Sequence, residues 1–304
     1  MVNFNRERTM RNILICTFWI CFAFFVFGQD LVGQSSGSNY ISFKNIEERH
    51  NYFAYRADGG ILVSGHRGGR EVGYPENSLE GFQNVLNQMA AFFEIDPRLS
   101  KDSVIVLMHD ATLDRTTNAT GNLSDYTWEE LQSVRLKDSE GNVTSAKIPT
   151  LEEAIIWSNG KTVINLDKKD VPFHMIVALI KKHNAEKHVM LTVHTGAQAR
   201  YYFDRLPGIM MSVFARNDKE YEDLSICGVP WENMIAYVGP TIDDSNRHIV
   251  EKLRSNGVRC MVSYAPTHDR LQTAGERHDA YKKEIEKGPD IIESDLPTEI
   301  RRAL

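Results

Sequence analysis

Residues 91–117, AFFEIDPRLSKDSVIVLMHDATLDRTT, decide how this chain is read. From Phe93 to Pro97 the side chains alternate with the two-residue period of a strand, which puts Glu94 and Asp96 on one face. Two acids sharing one face of an apolar strand repel each other and lose their hydration on burial. Uncompensated, that costs on the order of several kcal/mol, comparable with the net stability of a whole domain. A metal ion is the partner that removes the cost. Ser100–Ser103 then forms a tight turn, and Val104 to His109 is an apolar strand folding back. With the turn centred between Lys101 and Asp102, Glu94 stands opposite His109 and the hairpin delivers an imidazole beside the carboxylate pair.

A second histidine lies upstream, in SGHRGGREVGYPENS, residues 64–78. The short apolar strand Ile61 to Ser64 runs into a glycine-rich loop holding His66 and Arg67. Glycine permits close approach of backbone to a ligand, and the planar arginine fork matches phosphate oxygens. Taken together, HRG (66–68), PEN (75–77), ExD (94–96), HD (109–110) followed by LDRTT (113–117), and IPTLEEA (148–154) resemble the glycerophosphodiester phosphodiesterase family. The likeness runs from about Ile61 to the C-terminus, dense before Asp170 and thin after it. It implies a metal-dependent TIM barrel that cleaves glycerophosphodiesters to an alcohol and glycerol 3-phosphate, with His66 and His109 in the positions of the family's catalytic pair. The family usually has glutamate where Asp167 stands, and aspartate is one methylene shorter.

The residues support the same chemistry. Glu94, Asp96 and Asp167 offer carboxylate oxygens to one hard divalent cation, Mg²⁺ or Ca²⁺, and no Cys or His cluster with zinc spacing competes. The alternative for each acid is a salt bridge to Arg67, Arg98 or Lys169. His66 and His109 suit a general acid and a general base on either side of a phosphodiester, since an attacking oxygen must lose a proton and a leaving alkoxide must gain one. A structural histidine at a strand end is the reading for either one alone. Arg67 and Lys169 are expected to clamp the phosphate, or to pair with the same acids. Glu76 is expected to orient the Arg67 loop, Asn77 or Ser78 to cap the next helix, and Arg115 to fix its own loop. His194, Phe214, Tyr264 and Glu293 fall near strand ends and line a pocket or pack in the core.

Beyond this stretch the chain alternates. Strands are expected at 61–64, 91–96, 162–166, 188–193, 209–214, 234–238, 259–263 and 290–293, separated by helical segments. With 104–109 set aside as the hairpin's return arm, eight strands with helical crossovers make an α/β (βα)8 TIM barrel, with the hairpin and a short insertion, residues 116–148, at its mouth. Active residues then belong at the C-terminal ends of the strands, where His66, Glu94, Asp96 and Asp167 fall.

At 304 residues with 42% hydrophobic side chains the chain can bury a full core, and its net charge of −6 without a long basic run gives no reason to expect nucleic acid. Arg6, Arg8 and Arg11 precede an apolar run, Ile13 to Phe27, too short for a membrane span but suited to a signal-peptide core. The expected organisation is a leader over 1–28, removed on export to a periplasmic or secreted location, and one barrel domain over 29–304. Cys227 and Cys260 remain in such a mature chain, as one disulfide or as two buried thiols. Two rivals share the layout: a phospholipid- or phosphoinositide-cleaving phosphodiesterase, and a catalytically silent barrel that binds a glycerol-phosphate-like ligand. A glycosidase using Glu94 and Asp96 is disfavoured, because residues two apart on one strand are poorly placed to flank a sugar bond.

Overall fold

The computed structural model describes residues 39–304, so the expected leader lies outside the described residues. In chain order the strands are β1 (Leu62–Gly65), β2 (Phe92–Ile95), β3 (Pro97–Leu99), β4 (Ile105–Leu107), β5 (Ile164–Leu166), β6 (Val189–Val193), β7 (Met210–Phe214), β8 (Met234–Gly239), β9 (Cys260–Ser263) and β10 (Ile291–Ser294). All but β3 and β4 pair in parallel and close into a barrel, sealed where Ser64 of β1 stands opposite Glu293 of β10. The eight barrel strands are the expected ones, with ends moved by one or two residues. They are apolar and buried on both faces because helices cover the outside. Those helices are α1 (Ile46–Phe53), α2 (Leu79–Gln88), α3 (Trp128–Leu131), α4 (Leu151–Ser158), α5 (Phe173–Lys182), α6 (Gly196–Phe203), α7 (Asp218–Ser225), α8 (Arg247–Ser255), α9 (Ala274–Ile285) and α10 (Pro297–Ala303). Capping boxes at Thr127/Glu130, Thr150/Glu153 and Thr273/Glu276 satisfy the first backbone N–H groups of α3, α4 and α9 and set where they begin. No helix of the described residues is long and apolar enough to cross a membrane.

Inside the barrel, Phe92, Met190, Met210, Ile235, Met261 and Ile291 form an apolar plug, and Phe53 of α1 packs beneath it with Ile41 and Phe43 as a floor. Two residues further along the strands the inward positions turn polar: Ser64, Glu94, Asn165, Ser212, Ser263 and Glu293 are all buried. The side of the barrel toward the strand C-termini therefore has a polar interior. The insertion beyond β4 keeps a small core of its own around Met108, Leu113, Leu123, Leu131 and Leu136, within the same compact unit as the barrel.

The hairpin forms, but one residue out of the expected register. Pro97 pairs with Leu107 and Leu99 with Ile105, and the Met108 N–H reaches the Asp96 carbonyl at 2.9 Å. The turn thus centres on Asp102, with Ser103 in the left-handed region (φ 64°), and His109 comes level with Ile95 rather than Glu94. Cys227 and Cys260 are both free thiols, so the disulfide alternative does not apply.

Two predictions follow from packing. Gly68, at φ +84°, lies so close to Phe82 that an added Cβ would sit 2.1 Å from its ring, and that ring is stacked on Phe93 at 5.1 Å. Gly68→Ala is expected to cost roughly 3 kcal/mol, from overpacking and from a left-handed backbone that L side chains resist. A urea titration checks this, and parental stability would contradict it. His188 is buried at the entry to β6, and burial lowers its pKa to about 4, opposed in part by the Ile155 carbonyl. The unfolded chain takes up a proton there near pH 6.5 and the folded chain only near pH 4. Stability is therefore full at neutral pH and falls by about 3 kcal/mol as pH drops through that window. A His188→Gln variant should show a shallower loss of unfolding free energy between pH 7 and pH 4; an identical slope would contradict it.

Candidate active site

At the end of β1 the chain bends sharply: Arg67 has φ 55° and Gly68 φ +84°. A non-glycine residue in the left-handed region is strained, and here the strain aims the Arg67 N–H at Glu94 Oε2, 3.0 Å away. His66 donates from Nδ1 to Asp295 Oδ1 at 2.7 Å, which leaves Nε2 facing Glu94 Oε2 at 3.9 Å. Asp295 follows β10, the barrel neighbour of β1, and is itself held by Arg70 Nη2 at 2.7 Å and by its own N–H donating to Asp269 Oδ2 at 2.6 Å. Burial pulls the His66 pKa down, but the hydrogen bond to Asp295 and the charges of Glu94 and Glu293 outweigh it and hold the imidazole at about 9.

Glu94, Asp96 and Asp167 each bring a carboxylate oxygen within 4.8 Å of the others, and the first two are buried. The shorter aspartate at 167 thus reaches the cluster. Burial and the charges of Asp96, Asp167 and Glu293 push the Glu94 carboxyl well above its ordinary range. Lys169 Nζ contacts Asp167 Oδ2 at 2.6 Å and Asp96 Oδ1 at 3.0 Å, and its ammonium overcomes burial to keep the Asp167 carboxyl below its usual value. Asp96 is fixed from the other side. Asn77 Nδ2 donates to its Oδ2 at 2.7 Å and Asn77 Oδ1 accepts from its N–H at 3.0 Å. Asn77 adopts φ 54° to do so and leaves the capping of α2 to Ser78, whose Oγ accepts from the Gly81 N–H. Asp96 Oδ1 is buried with no aligned hydrogen-bond donor, the Lys169 ammonium being its electrostatic contact. Three convergent carboxylates, one with an unfilled oxygen, fit a hard divalent cation better than they fit the single ammonium.

His109 follows β4 and donates from Nδ1 to Asp110 Oδ1 at 2.7 Å. Burial lowers its pKa, aided by the nearby charges of Arg67 and Lys169, although Asp110 opposes. Arg115 donates to Asp110 Oδ2 at 2.7 Å and holds that carboxyl far below the usual range. The same guanidinium donates to Glu76 at 2.8 and 2.9 Å, and Glu76 accepts from Arg67 Nη1 at 3.1 Å. One chain of charges, Asp110, Arg115, Glu76, Arg67, therefore joins the loop of His109 to the loop of His66. Glu76, expected to orient the Arg67 loop, is in direct contact with the Arg67 guanidinium.

The structure brings all eight candidates, His66, His109, Arg67, Lys169, Glu94, Asp96, Asp167 and Glu76, into this region. The His194 and Phe214 rings meet at 4.5 Å between centroids, tilted by 46°. Tyr264 does not join them: next to the inward Ser263 it points out of the barrel and stacks on Tyr281 of α9 at 5.7 Å. Asp295 and the clamp from Asn77 were missed. For Asp295 the available signal was topological, since closure of the barrel puts the last strand beside the first.

A mouth with two carboxylate-backed imidazoles around a hard-cation cluster defines a class, the TIM-barrel phosphoric diester hydrolases. Comparison with known proteins narrows it: residues 66–262 match the model of the glycerophosphoryl diester phosphodiesterase family, and the chain belongs to that family. A solved glycerophosphoryl diester phosphodiesterase from Parabacteroides distasonis is 50% identical with a TM-score of 0.86, over 88% of this chain and 94% of that one. The glycerophosphodiester phosphodiesterase of Caldanaerobacter subterraneus is 27% identical over 65% of this chain and 83% of its own length. That of Bacillus altitudinis is 29% identical over 55% and 72% respectively.

Proposed function

We propose that this mouth hydrolyses glycerophosphodiesters to an alcohol and glycerol 3-phosphate, using one divalent cation, Mg²⁺ or Ca²⁺, held by Glu94, Asp96 and Asp167. The observation that carries the reading is the convergence of two imidazoles, each backed by a carboxylate at 2.7 Å, on one carboxylate cluster. A bound cation would neutralise the charge that develops on the non-bridging phosphate oxygens and relieve the repulsion among the three acids. Arg67 and Lys169 add positive charge from the protein and orient the diester. His66, whose Nδ1 is hydrogen-bonded to the Asp295 carboxylate that raises its pKa, suits the donor to the leaving alkoxide. His109, beside Arg67 and Lys169, is neutral there and suits the acceptor from the attacking oxygen. Asp295 and Asp110 hold the proton of each ring on Nδ1 and present Nε2 to the substrate.

The test is release of glycerol 3-phosphate from a panel of glycerophosphodiesters with and without a chelator. Turnover lost with chelator and restored by Mg²⁺ or Ca²⁺ is expected. Absence of turnover with every diester and either ion would leave a ligand-binding barrel instead. Export rests on Arg6, Arg8 and Arg11 ahead of the apolar run Ile13 to Phe27, and mass spectrometry of the protein from its native host should find a mature chain beginning near residue 29.

A further inference from the structure

In the polar layer between the apolar plug and the mouth, one carboxylate, Glu293, makes no hydrogen bond or ion pair to either imidazole or to the three-carboxylate cluster among the described residues. Barrel interiors are ordinarily filled by bulky branched side chains. Here Ser64, Ser212 and Ser263 stand at inward positions, small, polar and buried. Glu293 sits among them, level with Ser64 on one neighbouring strand and Ser263 on the other. Its Oε2 accepts from Ser64 Oγ at 3.4 Å, and Ser263 stands level with it on the other neighbouring strand. Among the described residues no lysine or arginine forms an ion pair with it. A carboxylate has about four acceptor sites, so one serine donor leaves most of this capacity unused at a buried position. Tyr237 borders it, and the wall continues upward through Phe214, whose ring meets Tyr237 edge-on at 5.1 Å. Glu293 lies two residues, about 7 Å along the strand, below Asp295 and its partner His66. That is the reach of a short carbon chain hanging from a phosphate at the mouth.

We infer that Glu293 is a specificity determinant that selects the glycerol half of the diester by accepting hydrogen bonds from its free hydroxyls, with Tyr237 and Phe214 lining the carbon chain. The inference rests on the phosphodiesterase reading above and goes beyond it by assigning which half enters the barrel and what reads it. Serine hydroxyls both donate and accept, so Ser64 and Ser263 complement a diol. The variable alcohol is left on the solvent side.

Two p-nitrophenyl diesters sharing one leaving group test this, one of glycerol 3-phosphate and one of n-propyl phosphate, which differ only in the two hydroxyls. The parent should prefer the glycerol ester in kcat/KM. Glu293→Leu should shrink that preference by about thirtyfold, and Glu293→Gln, which keeps an acceptor oxygen, by less. An unchanged preference with both esters slowed alike would overturn the inference and give Glu293 a general role in charge balance. Inhibition of the parent supplies a readout free of folding effects: glycerol 3-phosphate should inhibit far more strongly than n-propyl phosphate. Equal inhibition, or choline phosphate matching glycerol 3-phosphate, would overturn it as well. A parent that cleaves neither ester refutes the phosphodiesterase reading and this inference with it, whereas cleavage without hydroxyl preference refutes the inference alone.

Discussion

Alanine at His66 or at His109 is expected to lower kcat by ~10²–10⁴-fold, the usual contribution of a positioned acid or base. Each ring is held by one carboxylate, His66 by Asp295 and His109 by Asp110, at 2.7 Å. Both carboxylates keep a cationic partner when the ring is removed, from Arg70 and Arg115 respectively, so neither is left unpaired. The loss should therefore appear in kcat with little change in thermal stability. The two rings serve one proton inventory, so the double variant should fall only slightly below the worse single one. Steady-state kinetics with cation in excess reads this directly, and a loss under tenfold at either position would remove that histidine from the chemistry.

Removal of a carboxylate from the cluster should have an effect of similar size on cation affinity. Asp96→Ala deletes the proposed ligand carboxylate, which Asn77 fixes with two hydrogen bonds and Lys169 contacts at 3.0 Å. Replacing residues that merely support metal ligands commonly costs 10–100-fold in affinity, so loss of a ligand here should cost about 100-fold or more. Asn77→Ala, acting through Asp96, should cost about tenfold. Glu94→Ala has a further consequence, because Glu94 Oε2 accepts from the Arg67 N–H at 3.0 Å and so holds the strained loop of His66. It should weaken cation binding and turnover together. Calorimetric titration with Mg²⁺ and Ca²⁺ gives the affinities, and parental binding by both Glu94→Ala and Asp96→Ala would place the cation elsewhere.

The candidate site was legible because its chemistry is local in sequence. Glu94 and Asp96 sit two apart on one strand, and a period of two puts them on one face whatever the rest of the barrel does. His66 and Arg67 share a glycine-rich loop, and His109 returns on a hairpin only a few residues later. The register of that hairpin was not legible. It turns on whether one residue, Ser103, takes a left-handed conformation, a choice worth about 1 kcal/mol that tertiary contacts readily decide. Asn77 was read only as a candidate cap of the next helix, because an asparagine just before a helix is a common cap and nothing local shows that its amide reaches Asp96.

By itself the sequence determined the alternation of buried strands and amphipathic helices, hence the barrel, and the residue types that can hold a hard cation and move protons. Those follow from side-chain period and intrinsic chemistry, which act over a few residues. Only the tertiary structure decided that Asp295 stands behind His66, that Arg115 and Glu76 tie the two histidine loops together, and that Glu293 lies beneath the mouth. Asp295 and His66 are 229 positions apart. Their meeting depends on closure of the last strand against the first, a long-range pairing that no local pattern encodes.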